Sequence, residues 1–399
     1  MYSKTDDPGH VAGQIFLCRS ILLVAVATSF SDMSESLLGP YYPSYAQEKG
    51  VSIAVIGAMF SLEAVVALLI TPLAPIVMER AGSPVNVLRA GLFCQAALEL
   101  VWSFTNRVPG TSGFVASCAA VRAVQGLVLG LTETAAASVA MRSASQELVG
   151  DAVGYVEASR GIGAMIGPVV GGLLFQVGGY SAPSLFSAAM LFAVGMWTLC
   201  PVPLLDAGAT PSVGIVRKRE LLRVPTIAVL VVFMVGAMLS FSFLEPTLQP
   251  HLETQPYNLQ SSTIGLLFAV VALTYACATL VAAPLARRVG AHVCVVGGMV
   301  GLGLVFLLIG PSPLLPFVPK TVWMFAVVMF LCGVAVALVS VPSEVLLTRA
   351  AAGIRGGQIQ VPTQDFADNI SAISTFAISL GAILGPLVAG GPLPSMSFA

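Results

Sequence analysis

The chain has 399 residues, of which 57% are hydrophobic and 9% charged, against roughly a quarter charged in an ordinary soluble domain, so a water-soluble globular protein is excluded. Eighteen Lys and Arg stand against nineteen Asp and Glu, a net charge of −1, which leaves no basic surface for nucleic acid and no acidic tail. The seven cysteines, Cys18, Cys94, Cys118, Cys200, Cys277, Cys294 and Cys332, are scattered singly with no CxxC pair, and read as small buried hydrophobes, not disulfides or zinc ligands. The opening MYSKTDDPGH is polar and mixed in charge, and no cleavage site follows it; the first apolar run is expected to be a retained membrane span.

A bilayer core about 30 Å thick takes about 20 apolar residues per helix. In chain order, eleven spans are predicted, near residues 15–40, 53–78, 85–104, 113–141, 152–177, 181–204, 224–248, 262–284, 291–311, 321–347 and 368–390. The 39 Gly and 26 Pro predict kinked, closely packed helices, since membrane helices tolerate both. With the N-terminus 1–14 in the cytoplasm, thirteen of the eighteen basic residues fall on that side, Lys49, Arg107 and Lys320 on the other, and Arg122 and Arg160 within spans. That asymmetry is the positive-inside bias. The polar stretch 205–223, with RKRE at 217–220, reads as a cytoplasmic linker between a six-helix bundle at 15–204 and a second bundle at 224–399 with five predicted spans.

The halves echo each other. GAMIGPVVGG at 163–172 returns as GAILGPLVAGG at 381–391, and LLGPYYP at 37–43 with Ile56-Gly57 corresponds to FLEPTLQP at 243–250 with Ile264-Gly265. Parallel repeats of a multi-helix unit are how many secondary transporters are built. Six helices per half are then expected, of which five are predicted in the second half, so its last is expected to be missing.

Eight carboxylates fall inside or at the edges of the spans: Asp32, Glu35, Glu63, Glu99, Glu133, Glu157, Glu245 and Glu344, opposed only by Arg122 and Arg160. A charge at a helix centre costs at least about 2.5–3.5 kcal/mol on the insertion scale, so such groups need partners, protonation or water. An acid excess of this kind suits cations and protons, and burial disfavours the ionised carboxylate, the property that lets one exchange a proton. Glu157, Glu245 and Glu344 lie beside Gly or Pro irregularities, where functional acids of membrane carriers sit; any one of the eight could instead be neutral and hydrogen-bonded. Gly161, Gly163, Gly167, Pro168 and Gly171 form a small-residue stripe that lets two helices approach closely. Asn369-Ile-Ser371 fits a glycosylation sequon but opens the eleventh span on the cytoplasmic side, so no use of it is expected. His10, His251 and His292 form no metal-like array and are expected in exposed loops. No nucleophile–base pair, metal cluster or phosphate loop points to an enzyme, and no cofactor is expected.

VRAVQG at 121–126 resembles the fourth-helix motif of the major facilitator superfamily, in which the Arg is associated with proton coupling; that resemblance implies a coupling role for Arg122 and Glu133, against the plainer alternative of an ion pair with an acid such as Glu35. The glycine stripe with Gly385 and Pro386 resembles the antiporter motif of the same superfamily. PIVMERAG at 75–82 resembles its gating signature, with Glu79 and Arg80 at the charged positions, Pro75 in place of Gly and Glu79 in place of Asp; ARRVG at 286–290 lacks the acid. Over nearly the whole chain the closer resemblance is to the vesicular amine transporter family: LGPYYPSY at 38–45 resembles the end of its first helix, and FLEPTL at 243–248 its seventh-helix signature. Glu157 in YVEASRGIG and Glu344 in VPSEVL fit the branch that carries polyamines. Departures point the same way, because the monoamine carriers' eleventh-helix acid falls at Thr375, their tenth-helix acid falls near Ala337, and Asp32 lies eight residues before Pro40 where they have nine.

The resemblance implies an all-α membrane transporter of the major facilitator fold, a proton-coupled antiporter of a polyamine or related organic cation in an intracellular vesicle membrane, working as a monomer. Its cation and proton sites would be Glu157, Glu245 and Glu344, with Asp32 and Glu35 secondary, and Tyr41, Tyr42 and Tyr275 could lend cation–π faces. A plasma-membrane drug or metabolite exporter of the same superfamily, or a non-transporting receptor or assembly protein, are the alternatives.

Overall fold

The structure, a computed structural model, describes residues 8–143, 149–200, 224–253, 257–309, 321–353 and 364–390. The predicted linker 205–223 lies outside the described residues. Among the described residues every regular element is helical: α1 (Pro8–Ser36), α2 (Tyr42–Glu48), α3 (Ile53–Ile70), α4 (Ala74–Arg80), α5 (Pro84–Trp102), α6 (Thr111–Ser143), α7 (Val149–Gly178), α8 (Ser181–Trp197), α9 (Pro225–Glu253), α10 (Ser261–Val289), α11 (Ala291–Ile309), α12 (Val322–Gly353) and α13 (Gln364–Ala389). Among the described residues eight stretches are long and apolar enough to cross a membrane, and Ser181–Trp197 and Phe376–Ala389 are shorter apolar helices. The outward faces are apolar, with Trp323 85%, Val177 81% and Leu280 78% exposed. In water that surface would drive association; in hydrocarbon it is matched to its solvent, and the helices are held together by close packing instead.

Local chemistry explains the breaks. The second predicted span stays one apolar stretch, Ile53–Arg80, but is not one regular helix: Pro72 and Pro75 interrupt the hydrogen-bond ladder, a single 3-10 turn Thr71–Leu73 follows α3, and α4 resumes from Ala74. The PIVMERAG stretch is thus mostly helical. Its closing Gly82 adopts φ +74, a left-handed conformation that ends α4, and Ser83 then caps α5 by accepting from the Val85 amide at 3.2 Å, with Pro84 in the first turn.

By contacts the chain forms two units, Met1–Leu38 with Val65–Ala209, and Gly39–Ala64 with Thr210–Ala399. In the first, α1 packs on α7, and α5 on both α6 and α8, around a core that includes Val24, Leu88, Leu92, Val139 and Leu191. The Arg89 guanidinium donates to the Thr198 carbonyl, fastening α5 to the end of α8. In the second unit, α9 packs on α13, and α12 on both α10 and α11, around Leu230, Leu248, Phe268, Leu302 and Val339. The sequence repeat is therefore also a packing repeat. A Cβ on Gly163 or Gly167 would run into the backbone or Ser36 hydroxyl of α1, one on Gly171 into the backbone of Leu37 just after it, and one on Gly381 or Gly385 into the α9 backbone. In each unit the glycines bring the fifth helix of the repeat against its first.

Residues 39–64 pack within the second unit. The Ser44 amide donates to Gln249 at 3.2 Å, and the Ser61 hydroxyl to the Ile383 carbonyl at 2.7 Å. Gly57 lies so close to the Pro386 carbonyl that no side chain fits. Tyr41 and Tyr42 are 0% and 2% exposed, and the Tyr42 ring meets Phe60 edge-on at 5.9 Å; contrary to expectation, neither offers an open face to a cation, because their rings are used in packing. His251 also departs from expectation. It lies inside α9, half-buried, with the Tyr257 ring at 5.6 Å and the Phe325 ring at 6.2 Å, because α9 continues past Pro250 to Glu253. Burial in this aromatic cluster pushes the Tyr257 phenol above its ordinary range. Of the cysteines, Cys118, Cys294 and Cys332 are buried as expected and free, whereas Cys94 and Cys277 are exposed.

Candidate functional site

The glycine stripe sets the site of the first unit. Arg160 lies on α7 three residues before Gly163 and seven before Gly167, a spacing that puts all three on one helical face. The face that presses on α1 thereby delivers Arg160 to Asp32. The guanidinium Nε donates to the two Asp32 oxygens at 3.2 and 3.4 Å and Nη2 to Asp32 Oδ1 at 3.4 Å, while Nη2 also bonds Glu133 of α6. One cation thus bridges carboxylates on two other helices. The side chains are 30% (Arg160), 14% (Asp32) and 29% (Glu133) exposed, and the two acids line a small hollow with Thr28, Ser31 and Thr132. Such a group can hold a cation, exchange protons or simply tie three helices together.

Deeper in the same unit lies a second polar layer. Ser34 of α1 and Gln125 of α6 both donate to Glu99 Oε1 of α5, at 3.0 and 2.9 Å, and Ser31 and Gln95 bond each other beside it. Glu99 and Arg122 are each 3% exposed, and the Arg122 guanidinium stands 5.9 Å from the Trp102 ring centre, within cation–π reach. Burial of ionic groups at this depth is tolerated only inside a hydrogen-bonded network. Gln125 of the R-x-x-Q-G motif thus belongs to one buried layer with Glu99, and Arg122, one turn away, is buried against Trp102.

The second unit presents its acids differently. Glu245 is half-buried on α9 immediately before Pro246, which has no N–H for the Ser242 carbonyl four residues back. Glu344 is exposed on α12, two residues after Pro342. Glu35 is half-buried on α1, and Glu79 and Arg80 are exposed at the end of α4. The Glu157 side chain lies outside the described residues, although its backbone belongs to α7.

Two features escaped the sequence reading: the bridging role of Arg160 and the Glu99 layer. The second leaves a signal in the spacing, because Ser31 and Ser34 are three apart on α1 and Gln95 and Glu99 four apart on α5, two polar faces at helical period. The Arg160 bridge joins residues 128 and 27 positions apart on three helices and has no local signature.

A sequence model described as Major Facilitator Superfamily matches residues 24–386. Among curated proteins, the chain is 26% identical to the rat "MFS-type transporter SLC18B1", over 97% of this chain and 84% of that protein. It is 25% identical to the rat "Vesicular acetylcholine transporter" over 92% of this chain and 64% of that one, and 23% identical to the human "Synaptic vesicular amine transporter" over 100% and 72%. Among solved structures it resembles a bacterial homolog to the human lysosomal transporter Spinster, with a TM-score of 0.66 at 14% identity over 93% of this chain and 81% of that one. The nucleoside transporter NupG gives a TM-score of 0.66 at 16% identity, over 92% and 90%.

Proposed function

Because the chain belongs to the major facilitator superfamily of membrane transporters, we propose that it exchanges protons for a polyamine or related organic cation across an intracellular vesicle membrane by alternating access, as a monomer with its N-terminus and 205–223 linker in the cytoplasm and its halves at 15–204 and 224–399. The observation that carries this reading is the pair of carboxylates, Asp32 and Glu133, gathered around one guanidinium on helices with apolar outer faces. Clustered acids at membrane depth are useful where a cation or proton must pass. Similarity to vesicular acetylcholine and amine transporters supports the substrate class.

Each group then has a task. Asp32, Glu133, Glu245 and Glu344, with Glu157 and Glu35, alternate between holding a cation and holding a proton. A proton acquired on the acidic side of the membrane cancels the charge that binds the cation and releases it there; loss of that proton to the cytoplasm restores the charge. Arg122 holds the buried layer that couples the two events, and Glu79 with Arg80 serves gating at the end of α4. The closely packed glycines, with Pro168, Gly385 and Pro386, keep each helix pair rigid while the protein changes state.

Glu245→Gln tests this reading. In vesicles energised by a proton pump, the variant is expected to lose the uncoupler-sensitive part of labelled spermidine uptake while remaining folded and inserted. Uptake at the wild-type, proton-dependent rate would refute the assignment of Glu245.

A further inference from the structure

An alkylammonium group and a guanidinium present the same thing to a carboxylate: a positive charge with several N–H donors. In this protein the place between Asp32 and Glu133 is already filled by such a group. The Arg160 contacts to Asp32, at 3.2–3.4 Å, are longer than the ≈ 2.7–2.9 Å of a strong charge-assisted bond, and the site is partly open through the hollow that the two acids line. With Arg160 30% and Glu133 29% exposed, the bridge is within reach of water and of a small cation.

We infer that Arg160 is a resident competitor for the cation site: the ammonium group of a transported cation reaches Asp32 and Glu133 by taking the place of the guanidinium, and the returning guanidinium expels it. This rests on the cation-carrier reading above. Competition of this kind lowers apparent affinity by the fraction of time the site is free, and it lets the empty carrier present no uncompensated pair of acids to the membrane. Arg160 is thus a specificity-determining residue, selecting cations able to match a guanidinium at two carboxylates.

The test uses purified, detergent-solubilised full-length protein, followed by its melting temperature with three probes: methylguanidinium, ethylammonium and spermidine. In Arg160→Ala the vacated site is expected to bind methylguanidinium and ethylammonium, each raising Tm by several degrees at millimolar concentration, with wild type needing about tenfold more for the same shift. The double variant Asp32→Asn/Arg160→Ala is expected to lose both shifts. Spermidine is expected to half-saturate Arg160→Ala at about a tenfold lower concentration than wild type, the factor for a site free about a tenth of the time.

A folded Arg160→Ala that ignores both small cations overturns the inference and makes Arg160 a structural bridge. Equal half-saturation by spermidine in wild type and Arg160→Ala also overturns it, while leaving the polyamine reading intact. If the small cations act on Arg160→Ala as expected but spermidine acts on neither protein, the competition stands and the polyamine reading falls. Should Arg160→Ala fail to fold, Arg160→Gln carries the test. Its neutral, shorter side chain brings no positive charge to the two acids, so methylguanidinium is still expected to raise its Tm, and absence of that shift overturns the inference.

Discussion

Replacing Gly163 by alanine is expected to collapse the yield of folded protein, whereas Gly161→Ala, two residues away on the same helix, leaves it unchanged or slightly improved. Alanine is favoured over glycine in a helix interior by up to about 1 kcal/mol, and at Gly161 nothing stands within 4 Å of the added carbon. At Gly163 the same carbon would fall on the Ser29 backbone of α1. Backbone cannot rotate aside as a side-chain tip can, so the helices must part. Overpacking of this kind costs about 1–3 kcal/mol and occasionally more, and here the separation propagates to Gly167, Gly171 and the Arg160–Asp32 contact on the same face. The cost exceeds the propensity gain, which fixes the sign. Size-exclusion profiles and melting temperatures of the two variants side by side would measure it; a Gly163→Ala protein that melts with wild type would show that α1 and α7 do not approach as closely as described.

Glu99→Ala is expected to lower stability by about 2–4 kcal/mol, and Glu99→Gln by much less. Alanine deprives the Ser34 hydroxyl and Gln125 amide of their common acceptor, and each buried group left unsatisfied costs about 1–3 kcal/mol. Partners recruited within a membrane bundle reduce such costs, to about 0.6 kcal/mol on average in measured cases, so the lower part of the range is expected if α5 can shift. Glutamine keeps an oxygen where Oε1 lies and so preserves both bonds. Thermal denaturation in detergent resolves the difference. Equal melting of Glu99→Ala and Glu99→Gln would mean that the layer contributes nothing to the packing of α1, α5 and α6.

The course of α9, α11 and α12 was readable from composition, because a span about 20 residues long is a strong and local signal. So was most of the glycine stripe: Gly163, Gly167 and Gly171 share the face that meets the α1 segment, whereas Gly161, read as its first member, has nothing within 4 Å. The proline break between α3 and α4 was less legible: residues 53–78 read as one apolar span, since hydropathy does not register a missing N–H. His251 was placed in a loop for a related reason, as Pro250 suggests an end where α9 in fact continues to Glu253. Tyr41 and Tyr42 looked like cation-facing rings, but whether an aromatic turns to a ligand or to the core is decided by neighbours such as Phe60 that are remote in sequence. Arg160 shows the same limit most clearly. The sequence counts it as one of two bases among eight acids, and only the fold says which two acids it holds.

The decisive measurement is uptake of labelled spermidine into proteoliposomes containing the wild-type chain and an ATP-driven proton pump, with and without an uncoupler. Spermidine accumulation that depends on ATP and disappears with the uncoupler is the predicted result. Absence of accumulation in protein confirmed to be folded and inserted, or accumulation that the uncoupler leaves untouched, would contradict proton-coupled polyamine exchange.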